Sequence, residues 1–190
     1  HNLTKLLWFL VTYLLMVLLA PCLVASHDRH PWPLLLTMVV IAMAVDLWAM
    51  RTDLLDIRYL NLAFVWLGCH QIGVAYQRGF LRRGPLWHCL AAILVGVSGL
   101  VVLLHSGWPV PAVGMGERWI SNLQPPTVAM VFLCLAQAGV VGLMARHQPH
   151  VLTRRGVQKG IEVINALLMT IYLWHMPCVV LTFGIYMGLG

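Results

Sequence analysis

The chain has 190 residues, of which 61% are hydrophobic and only 9% charged. Soluble domains carry roughly a quarter of their residues as charges, so the composition excludes an ordinary water-soluble fold. The net charge of +6 is gathered between long apolar runs, which fits the loops of a multi-pass membrane protein and not a nucleic-acid surface. The expected fold class is therefore all-α, a polytopic transmembrane bundle of about six helices with the lipid bilayer as its first partner.

The first run, residues 3–24 (LTKLLWFLVTYLLMVLLAPCLV), is long enough to span, with Pro21 near its far end. The link HDRHPWP follows, closed by Pro31 and Pro33. The second run begins at Leu34. A span of ~20 residues carries it to Asp53 and leaves Asp46 inside the membrane. The third, NLAFVWLGCHQIGVAYQ from Asn61 to Gln77, places His70 and Gln71 side by side near its middle. Polar groups at that depth must be satisfied internally, so they face the bundle interior or a watery cavity. After it comes RGFLRRG, with Arg78, Arg82 and Arg83.

The fourth run, residues 86–105, carries Gly96 and Gly99, which suit close helix packing. Residues 106–126 hold four prolines and three glycines and read as a structured loop. The fifth run, 127–145, ends in the basic link RHQPHVLTRRGVQKG, and the sixth covers residues 161–185. That last run contains Asn165, Tyr172, Trp174 and His175. The cysteines (Cys22, Cys69, Cys89, Cys134, Cys178) lie inside apolar runs without a CxxC pair and read as small buried hydrophobes.

Six spans put alternate links on opposite sides. Arg29, Arg78, Arg82, Arg83, Arg146, Arg154, Arg155 and Lys159 fall on one side, against Lys5, Arg51, Arg58 and Arg118 on the other. The richer side is cytoplasmic by the positive-inside rule. Impermeant thiol labelling of a cysteine-free background, with single cysteines at positions 80 and 114, should therefore mark 114 and spare 80. The reverse pattern overturns the topology.

The candidate catalytic residues are His70, His175 and Asp46, and the candidate substrate-binding residues are Gln71, Asn122, Tyr172 and Trp174, with Gln124 beside Asn122. Against each stands a plainer role, since a membrane histidine bonded to a neighbouring helix is common glue. A carboxylate at depth is costlier, which weights Asp46 toward function. Asp53 and Asp56 suit the interface, and Trp8, Trp48 and Trp108 suit the aromatic belt. The pairs His27/His30 and His147/His150 have helical spacing but no third ligand, so no metal site is expected. Phosphate loops, GxSxG elbows, HExxH and a glycosidase carboxylate pair are missing from the sequence. Two rival functions rest on single residues. A b-type haem protein would use His70 and His175 as axial ligands and show a Soret band; a proton-coupled transporter would use Asp46.

Three stretches, in this order, resemble the integral-membrane acyltransferase-3 family, bacterial enzymes that O-acylate surface glycans, lipids and small molecules. They are LWFLVTYLLMVLLAP (residues 7–21), LNLAFVWLGCHQIGVAYQRG with the later VGMGERWISNLQPPT, and YLWHMP (residues 172–177). The resemblance implies transfer of an acyl group, acetyl foremost, from a cytoplasmic thioester such as acyl-CoA to a hydroxyl acceptor, without a tightly bound cofactor. It also implies a multi-pass protein of the bacterial inner membrane. The family's first-helix His follows an Arg by eleven positions, and no Arg here has a His at that distance. The expectation is accordingly a single acyltransferase-like domain over residues 1–190, truncated at both ends and inactive by itself. In such a piece His70, Gln71, Asn122, Asp46 and His175 form the supporting wall of the site.

Overall fold

The computed structural model describes residues 4–52, 55–110, 122, 125–147 and 154–188. Among the described residues six helices follow one another: α1 (Thr4–Arg29), α2 (Pro31–Thr52), α3 (Asn61–Gln77), α4 (Leu86–His105), α5 (Ala129–Arg146) and α6 (Arg155–Gly188). A 3-10 turn, Leu55–Leu60, joins α2 to α3, and the described residues contain no strand. Among the described residues, four helices are long and apolar enough to cross a membrane: Val11–Arg29 within α1, then α2, α4 and α5. At 17 residues, α3 is ~26 Å long, at the short end of what spans a bilayer. The chain divides into two compact units, one of residues Leu7–Arg146 and one of both chain ends, His1–Leu6 with His147–Gly190.

The link expected between the first two runs is almost entirely helical, and only His30 separates α1 from α2. Pro31 and Pro33 occupy the first turn of α2, where backbone N–H groups lack intrahelical partners anyway, so proline there starts a helix as readily as it breaks one. His30 N–H closes α1 on Ser26 O at 2.9 Å, and Leu34 N–H opens α2 on His30 O at 3.2 Å. Pro21 sits inside α1.

In the Leu7–Arg146 unit, α3 packs between α2 and α5, and α5 lies along α4. The core gathers Ala42, Val65, Ile72, Leu103, Trp108, Val128 and Val131. The α4–α5 contact depends on small residues, as Gly96 and Gly99 suggest from sequence. A Cβ on Gly96 would lie 2.6 Å from Ala136 N and Phe132 O, and one on Gly139 would lie 2.7 Å from Cys89 O. Backbones this close exclude any side chain. Gly139→Leu should therefore destabilise the unit by about 1–3 kcal/mol, whereas Gly73→Leu, where nothing lies within 4 Å, should not. Thermal melting of the two purified variants in detergent makes the comparison, and equal stability would refute the tight interface. At the far end of α5, Arg146 Nη2 donates to the carbonyls of Leu81 (2.9 Å) and Gly84, tying the helix to the turn between α3 and α4.

The second unit is dominated by α6. It begins six residues before the apolar run, because Arg155–Gly160 contains no proline and Gln158 N–H already bonds Arg154 O at 3.0 Å. Its 34 residues make ~51 Å of helix, well beyond the ~30 Å hydrocarbon core.

Candidate functional site

Asp46 is 1% exposed and sits where four segments meet. Its Oδ1 accepts from Asn61 Nδ2 at 2.9 Å and lies 3.9 Å from Arg58 Nε. Its Oδ2 accepts from the backbone N–H of Val128 at 2.8 Å and from Trp108 Nε1–H at 3.3 Å. Asn61 Nδ2 also reaches Ala42 O at 3.2 Å. Gly107, with φ +90°, ends α4 and lets the chain double back so that Trp108 returns over the core. Trp108 is thus only 6% exposed and belongs to the Asp46 cluster instead of the aromatic belt. Arg58, on the 3-10 turn, is 4% exposed. Burial pushes its guanidinium below the ordinary value, and the Asp46 carboxylate pulls it back up. A carboxylate has about four lone-pair positions, and each oxygen of Asp46 faces two donors. That geometry suits a carboxylate that holds α2, α3 and the start of α5 in register.

Asn122 joins this cluster through Thr127. Thr127 Oγ1–H donates to Asn122 Oδ1 at 2.6 Å, Thr127 N–H to Asn122 O at 3.1 Å, and Asn122 Nδ2 to Pro109 O. The buried Asn122 thereby shapes the entry to α5, next to the Val128 N–H that Asp46 binds.

The second cluster lies elsewhere on α3. Gln71 is ten residues beyond Asn61, ~15 Å along the helix axis, so His70 and Gln71 do not share a site with Asp46. Their neighbour is His27 of α1, whose Nδ1–H donates to Gln71 Oε1 at 2.8 Å. Both partners are buried, Gln71 completely. Two polar atoms, Gln71 Nε2 and His70 Nδ1, are buried with no hydrogen-bond partner among the described residues. His27, read from sequence only as half of an HxxH pair, is thus the residue that sequence reasoning missed. Its bond to Gln71 spans 44 positions and leaves no local trace.

His27 also borders a cavity of about 580 Å³, with Asp28, Trp32, Arg78, Phe80, Arg83 and His88 among its walls. With Nδ1 committed to Gln71, Nε2 is the imidazole nitrogen left for a ligand. His88 is fixed in the same sense, its Nδ1–H donating to Phe80 O at 3.0 Å and its ring stacked on Phe80 with centroids 4.1 Å apart. Arg78 forms an ion pair with Asp28 at 2.6 Å, linking α1 to the end of α3.

Tyr172, Trp174 and His175 all fall on α6, in the other compact unit. Gln124, Asp53 and His150 lie outside the described residues. Among the described residues, no three His, Cys, Asp or Glu side chains assemble into a group able to hold a metal ion.

Comparison with curated proteins and with solved structures gave no match. The family model of the acyltransferase-3 type, described as an acyltransferase domain, matches residues 2–190. With the match covering nearly the whole chain, the chain belongs to the integral-membrane acyltransferase-3 family.

Proposed function

We propose that this membrane acyltransferase moves an acetyl group from a cytoplasmic thioester, acetyl-CoA, to a hydroxyl of a surface glycan, lipid or small molecule, in the bacterial inner membrane. The family supports acyl transfer in general. The observation that carries the reading to particular residues is the pair of partnerless buried atoms, Gln71 Nε2 and His70 Nδ1, beside His27. Buried polar atoms are almost always bonded, and in hydrocarbon an unsatisfied one costs several kcal/mol. These two are the positions at which a bound donor or acceptor completes the hydrogen bonding.

Acyl transfer to a hydroxyl needs a base for the leaving proton and donors for the oxyanion. In this reading His70 is the imidazole that takes or relays the proton. Gln71 offers an amide N–H to an oxygen and holds His27 through its own carbonyl. Asp46, with both oxygens engaged, keeps the frame. Asn122 supports the same frame.

The experiment is direct. Membranes of cells that make the protein as natively encoded are given acetyl-CoA labelled in the acetyl group, and the label is followed into glycan, lipid and small-molecule fractions. Transfer above that of matched membranes lacking the protein supports the reading. Hydrolysis alone, or no acetyl-dependent labelling in any fraction, sinks it.

A further inference from the structure

The cavity beside His27 continues into a second, apolar cleft of about 260 Å³, and the two share Trp32, Leu35, Ala75, Phe80 and His88. The first chamber has a basic mouth. Asp28 neutralises Arg78, but Arg83 on the cavity wall and Arg82 beside it are exposed arginines with no acidic counterpart in the lining. The second chamber has no charged residue in its lining, which includes Trp87, Val95 and Leu135. Trp32 and Trp87 are exposed at its edges, the side chains that sit at headgroup level in membranes. The arginines lie on the side that positive-inside counting makes cytoplasmic, where anionic lipids attract basic segments.

The sizes decide what such a two-part space can hold. At about 260 Å³ the apolar cleft is far larger than an acetyl group needs. We propose that this two-part cavity binds one anionic phospholipid of the cytoplasmic leaflet, its phosphate on Arg83 with Arg82 nearby and part of one acyl chain between Trp32, Phe80, Trp87 and Leu135. The lipid lies beside the contact between the start of α2 and the turn joining α3 to α4, where Trp32 meets Phe80 edge-on with ring centroids 4.7 Å apart. This goes beyond the acyl-transfer reading and holds whether or not that reading does.

The test uses the purified protein, delipidated in detergent and titrated with phosphatidylglycerol or phosphatidylcholine of identical chains, with bound lipid counted by native mass spectrometry. One phosphatidylglycerol should be retained in preference to phosphatidylcholine. Arg83→Gln should reduce that preference about five-fold, the equivalent of about 1 kcal/mol for one basic residue at a membrane surface. Short-chain phosphatidylglycerol, tested on the unaltered protein, should bind more weakly than the long-chain form, which checks the apolar cleft without a variant that has to fold. Equal retention of the two headgroups, a preference unchanged in Arg83→Gln, or displacement of the lipid by acetyl-CoA would each overturn the proposal.

Discussion

Asp46→Ala should leave little folded protein, with a stability loss of about 3–5 kcal/mol, the usual result of removing one partner from a buried ion pair. The change leaves Arg58 buried without this counter-charge and strips acceptors from Asn61, Trp108 and the Val128 N–H at the head of α5. Asp46→Asn should fall between the two. It keeps one acceptor oxygen but turns an NH₂ group toward side chains and a backbone N–H that are themselves donors. Monodispersity of the purified variants after graded heating measures the effect. A wild-type profile for Asp46→Ala, combined with lost turnover, would move the carboxylate from frame to chemistry.

His70→Ala and Gln71→Leu should instead lower acyl transfer while the protein stays folded. A histidine working in proton transfer is typically worth ~10²–10⁴-fold in rate, whereas one interhelical hydrogen bond contributes about 0.6 kcal/mol of stability in membranes. Gln71→Leu keeps the volume but removes the acceptor that fixes His27 and the free amide N–H. It should therefore resemble His70→Ala in rate. His27→Ala, which leaves His70 in place but vacates one wall of the cavity, should produce a smaller loss. The measurement is turnover of the natively encoded enzyme in membranes, normalised to folded protein. Near-normal turnover in both His70→Ala and Gln71→Leu, with a slight drop in melting temperature, would reduce this cluster to glue between α1 and α3.

What the sequence disclosed follows from which interactions are local. The bounds of α3 and α4 coincide with the apolar runs because Arg78–Gly79 and Pro85 stop the helices from one side and Ser106–Gly107 from the other. The α1–α2 junction was illegible for a related reason. Proline signals a break inside a helix and a start at its first turn, and only the backbone distinguishes the two. Asp46, His70 and Gln71 stand out as polar residues in apolar surroundings, but their partners do not. Trp108 looks like any interfacial tryptophan, Arg58 like any loop charge, and a backbone N–H at Val128 has no sequence signature at all. The separation into two clusters was hidden likewise. It depends on which helix α3 faces at each end, and periodicity gives the face of a helix without naming its neighbour.

The reach of Asp46 along the chain also sets an order of events during synthesis. Asn61 is 15 residues away, Trp108 62 and Val128 82. Chains fold as they emerge, and distant contacts form last. The carboxylate thus enters the bilayer soon to meet Arg58 and Asn61, which restrain it within a three-element intermediate of α2, the 3-10 turn and α3. Its second oxygen stays half-coordinated until α4 is threaded and the start of α5 arrives. During that interval a nascent chain stalled before Val128 carries Asp46 with only the Asn61 and Arg58 partners in place.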